Sequence, residues 1–588
     1  MNALTGKSGR SAISNVAVVA VVVVIIIIIV AAGFIALSTK TTQSQAPTST
    51  TTTSSSVPPS TSTTSTGVTS TTSTASSQAA PAALNVQVSQ SFGTIDPAVG
   101  TDYTQFIAMI NLYDNLLTQL PSGAVIPHVA KSWTISPDGL TYTFVINSGI
   151  HFHSGEVMNA TDVAFSMQRM LHIQQGFSWM WSGVLNSSGI TVLNATAVQF
   201  HLNKVYAPFL GSLSLFFIVD KNVVMQHLAN TSSSNPMGDW GYAWMQTHDA
   251  GSGSYEFSSW QRGVQITFSR FDNYWMGWAN NPHPFDTVTY HIITSDATVL
   301  SLAKEGQIGW AGTFLAVPTY QALKQMGWKW VNVPSVNIFD LKMNTQAPPM
   351  NNIWLRRAIS YAFNYSAISY ILPGAVQSQG PVANNYQYHD PNVFVYHTND
   401  TAAEQMLAKS GLSPSSISLT ITYVQGNIPE QQIAEEFQKD MAAIGITNVK
   451  IQPQTWQTIT QLAASPSTTP QITEVYYDPL YPDTDSFFYP QYDSASNGTW
   501  ISMEWLQNST INSLISQERS TLNQTLRQQI FYQLQQDIVN LAPDVFVFNQ
   551  PYYEALAPTV GGYVFFNGMS FDYNLYNITS VYNAQASG

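Results

Sequence analysis

Residues 136–163 read SPDGLTYTFVINSGIHFHSGEVMNATDV, and the structural period changes twice within them. Ser136-Pro137-Asp138-Gly139 is a turn signal, because proline presets φ and aspartate and glycine suit the positions that follow. From Thr141 to Ile146 the pattern alternates, placing Tyr142, Phe144 and Ile146 on one face of a strand. At Asn159 or Thr161 a capping side chain opens a helix running to Met170. Strand and helix signals this close together mark a mixed α/β chain.

The same alternation extends outward in both directions. Leu84 to Val88 reads as a strand, and Tyr103 to Leu117 has helical spacing through Phe106, Ile110, Tyr113 and Leu117. Further on, Ile353 to Phe363 reads as a helix, Ile417 to Tyr423 as a strand and Pro429 to Ile444 as a helix. Val449 to Pro453 follows as a strand, Gln524 to Leu541 as a helix and Val545 to Phe548 as a strand. Sheets covered by helices are therefore expected, and no internal repeat interrupts them.

The chain has 588 residues, enough for several domains, of which only 9% are charged; about 25% is ordinary for a soluble protein. Twenty Lys and Arg face 33 Asp and Glu, a net charge of -13. Basic clusters are absent, which excludes nucleic-acid binding. With no Cys, disulfides, thiol chemistry and Cys-based metal sites are excluded as well.

The N-terminal end is organised differently. Val16 to Leu37 is a 22-residue run, apolar apart from Gly33, and as a helix it spans about 33 Å, enough for a bilayer core. Lys7 and Arg10 precede it and only Lys40 follows closely, so the positive-inside rule keeps segment 1–15 cytoplasmic and exports the rest. Residues 41–80 contain 27 Ser or Thr and no charge. They read as a disordered, O-glycosylated stalk within linker 38–83, with a coil span of about 35 Å. The expected location is thus the cell membrane, with a single-pass anchor and an extracellular domain. Ten Asn-x-Ser/Thr sequons, at Asn159, Asn186, Asn194, Asn230, Asn364, Asn399, Asn497, Asn508, Asn523 and Asn577, permit glycosylation; a chain this rich in Asn, Ser and Thr carries many by chance.

Motifs of catalysis are few. No nucleophile elbow, His-Glu-x-x-His, phosphate loop or dinucleotide fingerprint occurs. His151, His153 and Glu156 are the nearest metal candidates, although a surface hairpin with solvated histidines explains them more simply. Asp483 and Asp485, beside Asp478, would suit a glycosidase only if one carboxyl group sat in an apolar pocket opposite the other; a turn rich in Asp and Pro is the simpler reading. Gly251-Ser252-Gly253-Ser254-Tyr255 has no basic residue beside it to assist a phosphate. The balance favours a binding module over an enzyme, with no cofactor and no metal expected. An extracellular glycoside hydrolase or cell-surface structural protein is the alternative.

Several segments, in order, resemble the family 5 (oligopeptide, dipeptide and nickel type) solute-binding proteins of ATP-binding-cassette importers. They are Ile95-Asp96-Pro97-Ala98, the run Leu112 to Leu117, GAVIPHVAKSW (Gly123 to Trp133), SPDGLTYTF (Ser136 to Phe144) and GIHFHSGEVMNATDV (Gly149 to Val163). GSGSY (Gly251 to Tyr255), Arg270 to Trp275, and Lys342 to Ala358 continue the series. The anchor and stalk resemble the membrane-tethered archaeal form. The resemblance implies a two-lobed α/β fold of periplasmic-binding-protein type (type II, class C) with an extra inserted domain. Lobe I would hold about 84–118, 252–340 and 552–588, the extra domain about 119–251, and lobe II about 341–551, together the solute-binding domain 84–588. It also implies lobe closure around a solute, which is then passed to a membrane permease driven by a separate ATPase.

Peptide-binding relatives anchor the ligand's amino group with an Asp in a segment that here reads Leu480-Tyr481-Pro482-Asp483-Thr484-Asp485; Asp478 stands two residues earlier and substitutes after a small register shift. No Lys or Arg lies between Lys450 and Arg519 to meet a ligand carboxylate, which weakens the case for a free-ended peptide. Aromatic rings are plentiful instead: Trp456, Tyr476 and Tyr477, with Phe177, Trp179 and Trp181 in the inserted domain. Thr101, Asp102 and Tyr103 are further site candidates by family position. The expected solute is an oligopeptide or a neutral oligosaccharide. The exported domain carries 17 basic against 33 acidic residues, a balance suited to an acidic exterior.

Overall fold

The computed structural model describes residues 82–581. The expected segment 1–15, membrane helix 16–37 and all but the last two residues of linker 38–83 lie outside the described residues. No helix among the described residues is long and apolar enough to cross a membrane.

Eleven strands form one large sheet. In chain order they are β1 (Ala83–Val88), β2 (Tyr255–Gln261), β3 (Gln265–Arg270), β4 (Thr287–Ile292), β5 (Trp310–Ala311), β6 (Lys329–Met343), β7 (Val376–Gln377), β8 (Ser418–Val424), β9 (Asn448–Gln454), β10 (Ile472–Tyr477) and β11 (Asp544–Leu556). Across the sheet the order is β9-β8-β10-β6-β11-β5-β1-β4-β3-β2, with β7 attached to β11. β8 runs parallel to β9 and β10, and β1 parallel to β4 and β5. Parallel strands of one sheet need crossover connections, which accounts for helix Ile428–Ala443 between β8 and its neighbour β9, and for helix Trp456–Leu462 where the chain returns from β9 past β8 to β10.

Two long antiparallel strands join the halves of this sheet. The first part of β6 (Lys329 to Pro334) pairs β11 from Leu556 to Pro551, beside β5. The second part (Ile338 to Lys342) pairs β11 from Asn549 to Asp544, beside β10. The register shifts between Pro334 and Ile338 and again between Phe339 and Asp340. A bulge between two prolines, Pro334 and Pro551, removes ladder hydrogen bonds where the chain passes from one half to the other.

A separate four-stranded sheet lies within the segment between β1 and β2. Its strands, in spatial order, are Ala130–Ile135, Thr141–Ile146, Ala197–Leu202 and Leu185–Asn194. Tyr142, Phe144 and Ile146 are buried as the alternation predicts. Helix Ala160–Ile173 opens with a capping box in which Asn159 and Asp162 serve each other's backbone amides. From this helix Arg169 makes a bidentate pair with Asp96, 2.7 and 2.6 Å, in the connection after β1. Asn159, Asn399, Asn508 and Asn523 all cap helices through their side chains, which gives these four sequon asparagines a role independent of any glycan.

The helix expected from Tyr103 to Leu117 stops at Leu112. The reason is tertiary: Asp114 is held by Ser252, Tyr274 and Trp275 at 2.8 to 3.0 Å. The Gly251-Ser252-Gly253 loop packs directly on the helix end, Gly253 N–H donating to the Leu112 carbonyl at 3.0 Å. A Cβ on Gly253 would lie 2.6 Å from the Leu112 carbonyl carbon, so these glycines permit close backbone approach.

Candidate functional site

The halves of the large sheet face each other across a cleft at the β6 bulge. Its deep end is a cavity of about 50 Å³, and a mouth of about 730 Å³ opens beyond it, sharing Gln90, Asp102, Val424 and Trp456. The first half contributes Asp102, Tyr103 and Phe314 to the cavity; the second contributes Glu430, Trp456, Glu474, Tyr476, Asp478 and Trp500, and the bulge contributes Asn337.

Local sequence explains how each group reaches the cavity. Asp102 caps helix Tyr103–Leu112, accepting from Gln105 N–H at 2.9 Å and the Thr104 hydroxyl at 3.0 Å. Its other oxygen accepts from Trp456 Nε1 across the cleft at 3.4 Å. Trp456 begins the helix after β9 and meets Trp500 edge to face, 5.1 Å between ring centres. On β10, residues of one parity share a face, so Glu474, Tyr476 and the following Asp478 line up along the cleft. Tyr476 packs on Phe339 at 4.6 Å and on Phe314 at 5.3 Å, and the Phe314 contact closes the cleft from the opposite half.

Carboxyl groups dominate the electrostatics. Burial pushes Asp478 up to about 6, against an opposing hydrogen bond from Asn337. Burial also pushes Glu430 up to about 8, although the Val424 N–H and Asn427 amide hold it at 2.6 and 2.7 Å. Glu474 is raised well above the carboxyl range by burial and then by neighbouring Glu430. Neither Glu474 oxygen has a hydrogen-bond partner among the described residues, and the Asn337 Oδ1 and Trp500 Nε1 beside it are also unpartnered. No Lys, Arg or His lines this cavity. Under its floor, the Tyr103 hydroxyl meets the Tyr552 hydroxyl at 2.6 Å, and Tyr552 also contacts Glu554 and Asp572.

The expected site residues divide accordingly. Asp102, Tyr103, Trp456, Tyr476 and Asp478 meet at the cavity. Thr101 stands beside it, its amide donating to Gln105 at 2.8 Å. Tyr477 is corrected to the core: it faces away from Tyr476, is 1% exposed and donates to Ser486. Phe177 and Trp181 are corrected likewise, being fully buried in the inserted domain, where Trp181 donates to Ser212 at 3.0 Å. Trp179 stacks on Tyr489, 5.2 Å between centres, at the seam between the inserted domain and the segment after β10. Aromatic residues of core, seam and cleft look alike in a sequence.

Glu430, Glu474, Asn337, Phe314 and Trp500 also line the cavity and are not among the sequence-based candidates. Glu474 had a visible signal, an acid in an apolar strand in phase with Tyr476 and Asp478. Asp483 and Asp485 are held in ion pairs, Asp483 with Arg527 at 2.8 Å and Asp485 with Arg519 at 3.4 Å. His153 is not a solvated surface residue. It is half-buried, with Nδ1 on Asp249 at 2.6 Å and Nε2 on the Gly253 carbonyl at 3.0 Å, and His151 has a separate contact with the Gly155 carbonyl.

Residues 124–499 match the family model described as bacterial extracellular solute-binding proteins, family 5 Middle. The "Probable D,D-dipeptide-binding periplasmic protein DdpA" of Escherichia coli (strain K12) is 27% identical over 484 residues, covering 80% of this chain and 89% of that protein. The ABC transporter-associated periplasmic binding protein DppA from Helicobacter pylori, solved in complex with peptide STSA, superposes with a TM-score of 0.74 at 22% identity, covering 85% of this chain and 98% of that one. The oligopeptide-binding protein AppA from Bacillus subtilis, solved with a nonapeptide, gives 0.75 at 20% identity, covering 85% and 100%. The fold is that of two-lobed periplasmic binding proteins.

Proposed function

Because the chain belongs to the family 5 extracellular solute-binding proteins, a family of binding receptors and not enzymes, we propose that it is the capture component of an importer and that its solute is a short peptide with a free amino terminus. The carrying observation is the cavity itself: Asp102, Glu430, Glu474 and Asp478 line it, and no cationic side chain does. A cluster of buried carboxyl groups with no cation of its own suits a donor-rich, positively charged ligand group, and an α-ammonium supplies three donors and the charge. Asp478, at the edge of β10, is its partner. The mouth carries Arg262, stacked 4.1 Å over Trp260. This guanidinium comes from the half opposite the segment between Lys450 and Arg519, and it is available to a peptide carboxylate. The mouth's volume is in the range of sites for small ligands. Closure around the peptide presents the two lobes to a membrane permease, and the apolar run Val16 to Leu37 with its Ser/Thr stalk keeps the receptor at the outer membrane face.

A neutral oligosaccharide is the second reading, favoured by the rings of Trp456, Tyr476 and Trp500. Titration calorimetry of the full-length chain in detergent separates the two. Trialanine should bind and N-acetyl-trialanine should bind much more weakly. Equal binding of the two would remove the ammonium anchor, and binding of cellotriose in preference to any peptide would establish the sugar reading.

A further inference from the structure

The cavity has more acid than one α-ammonium needs. Glu474 lies four residues before Asp478 on the same strand face, is fully buried, and leaves both carboxyl oxygens without partners among the described residues. Asn337 Oδ1, an uncharged acceptor that is also buried and unpartnered, opens into the same space. Glu430 beside it already accepts from the Val424 amide and the Asn427 side chain, and makes no hydrogen bond to Glu474 among the described residues. Buried acceptors are almost always satisfied in a working state, so these point to a second donor group on the ligand. The space is also the right kind: about 50 Å³ admits a few waters or one cationic head group and excludes a solute's body.

Resting on the reading of the solute as a peptide, we propose that Glu474 forms a second cation subsite that selects peptides beginning with lysine or arginine. The α-ammonium pairs with Asp478, and the first side chain runs along Tyr476 toward Glu474. Four strand residues separate the two Cα atoms by about 13 Å. Ion-pair contacts of about 3 Å at each end leave a span matching that between the α-ammonium and side-chain cation of an extended lysine or arginine. Burial and Glu430 hold the empty-site Glu474 well above the ordinary carboxyl range, so an arriving cation displaces its proton to solvent.

The test compares Lys-Ala-Ala with norleucine-Ala-Ala, which has nearly the same shape without the second charge, by titration calorimetry of the full-length chain in two buffers of different ionisation enthalpy. The lysine peptide should bind about tenfold tighter or better and release more protons on binding. In Glu474→Gln, checked for an unchanged melting temperature, both differences should collapse. Equal affinity and equal proton release for the two peptides in the native chain would overturn the second subsite and leave the peptide reading standing. Failure of both peptides to bind would overturn the peptide reading and this inference with it.

Discussion

Trp456 stands in one half of the sheet and donates to Asp102 in the other, so its indole contributes both to the wall of the cleft and to its closure. Trp456→Ala is expected to weaken solute binding by about 1–3 kcal/mol, a range set by lost ring contact. Calorimetry with trialanine measures it, and unchanged affinity would remove the ring from the site. A different residue-scale constraint acts at Gly253, where any side chain would press on the end of helix Tyr103–Leu112. The sequence offered a glycine-rich loop and no reason for it; the reason is a neighbour more than 130 residues earlier in the chain. Gly253→Ala should lower stability by about 1–3 kcal/mol, the usual cost of overpacking. Chemical denaturation reads this directly, and a wild-type midpoint would show that the helix end yields.

Among elements, helix Ala160–Ile173 carries the bond between the inserted domain and the start of the large sheet. Arg169 and Asp96 are almost completely buried and pair bidentately. Removing one charge strands the other in an apolar setting, so Arg169→Met should cost about 3–5 kcal/mol, and the paired change Arg169→Met with Asp96→Leu should recover much of it. If the single variant unfolds like the native chain, the pair does not hold this domain in place. This helix was legible beforehand because its cap, charge and apolar stripe are local, and helix Gln524–Leu541 was legible to the residue. The linking strands were not. All thirteen residues of β11 are buried, which erases the alternation that betrays a half-exposed strand, and only Val545 to Phe548 had stood out. β6 carries a bulge that shifts its phase midway. The cleft was legible in part: Asp102 and Tyr103 are candidates by their position in the family pattern, whereas Glu430, Phe314 and Trp500 reach the cavity from segments brought together only by the fold.

For the whole molecule, scarcity of charge becomes a statement about protons. Buried acids outnumber the cations beside them: Asp340, Glu504 and Asp544 surround Lys342, and Glu554 and Asp572 accept from tyrosine and tryptophan side chains, with no cation hydrogen-bonded to either among the described residues. Burial, as the largest cause, raises Asp440 and Asp572 from 3.8 to about 7 and Glu430 from 4.5 to about 8. An acid whose folded value is raised keeps its proton in the folded chain after the unfolded chain has lost it. Its contribution to stability is complete below the ordinary carboxyl values and is lost as pH rises through the folded ones. The window set by these groups runs from about pH 4 to about pH 8. His153 has the same sign: burial alone would lower it, but Asp249 raises it above 6.5, so its contribution too fades as pH climbs. Growing self-repulsion of a chain already at -13 adds to the trend. Calorimetric melting of the full-length chain at constant ionic strength should therefore give a higher Tm at pH 4 than at pH 8, the reverse of ordinary acid unfolding. Asp440→Asn, which removes one raised acid far from the cleft, should flatten the decline between pH 4 and 7. A Tm that climbs from pH 4 to pH 8 would show that the buried carboxyl groups ionise without cost, and the fit of this protein to an acidic exterior would fall with it.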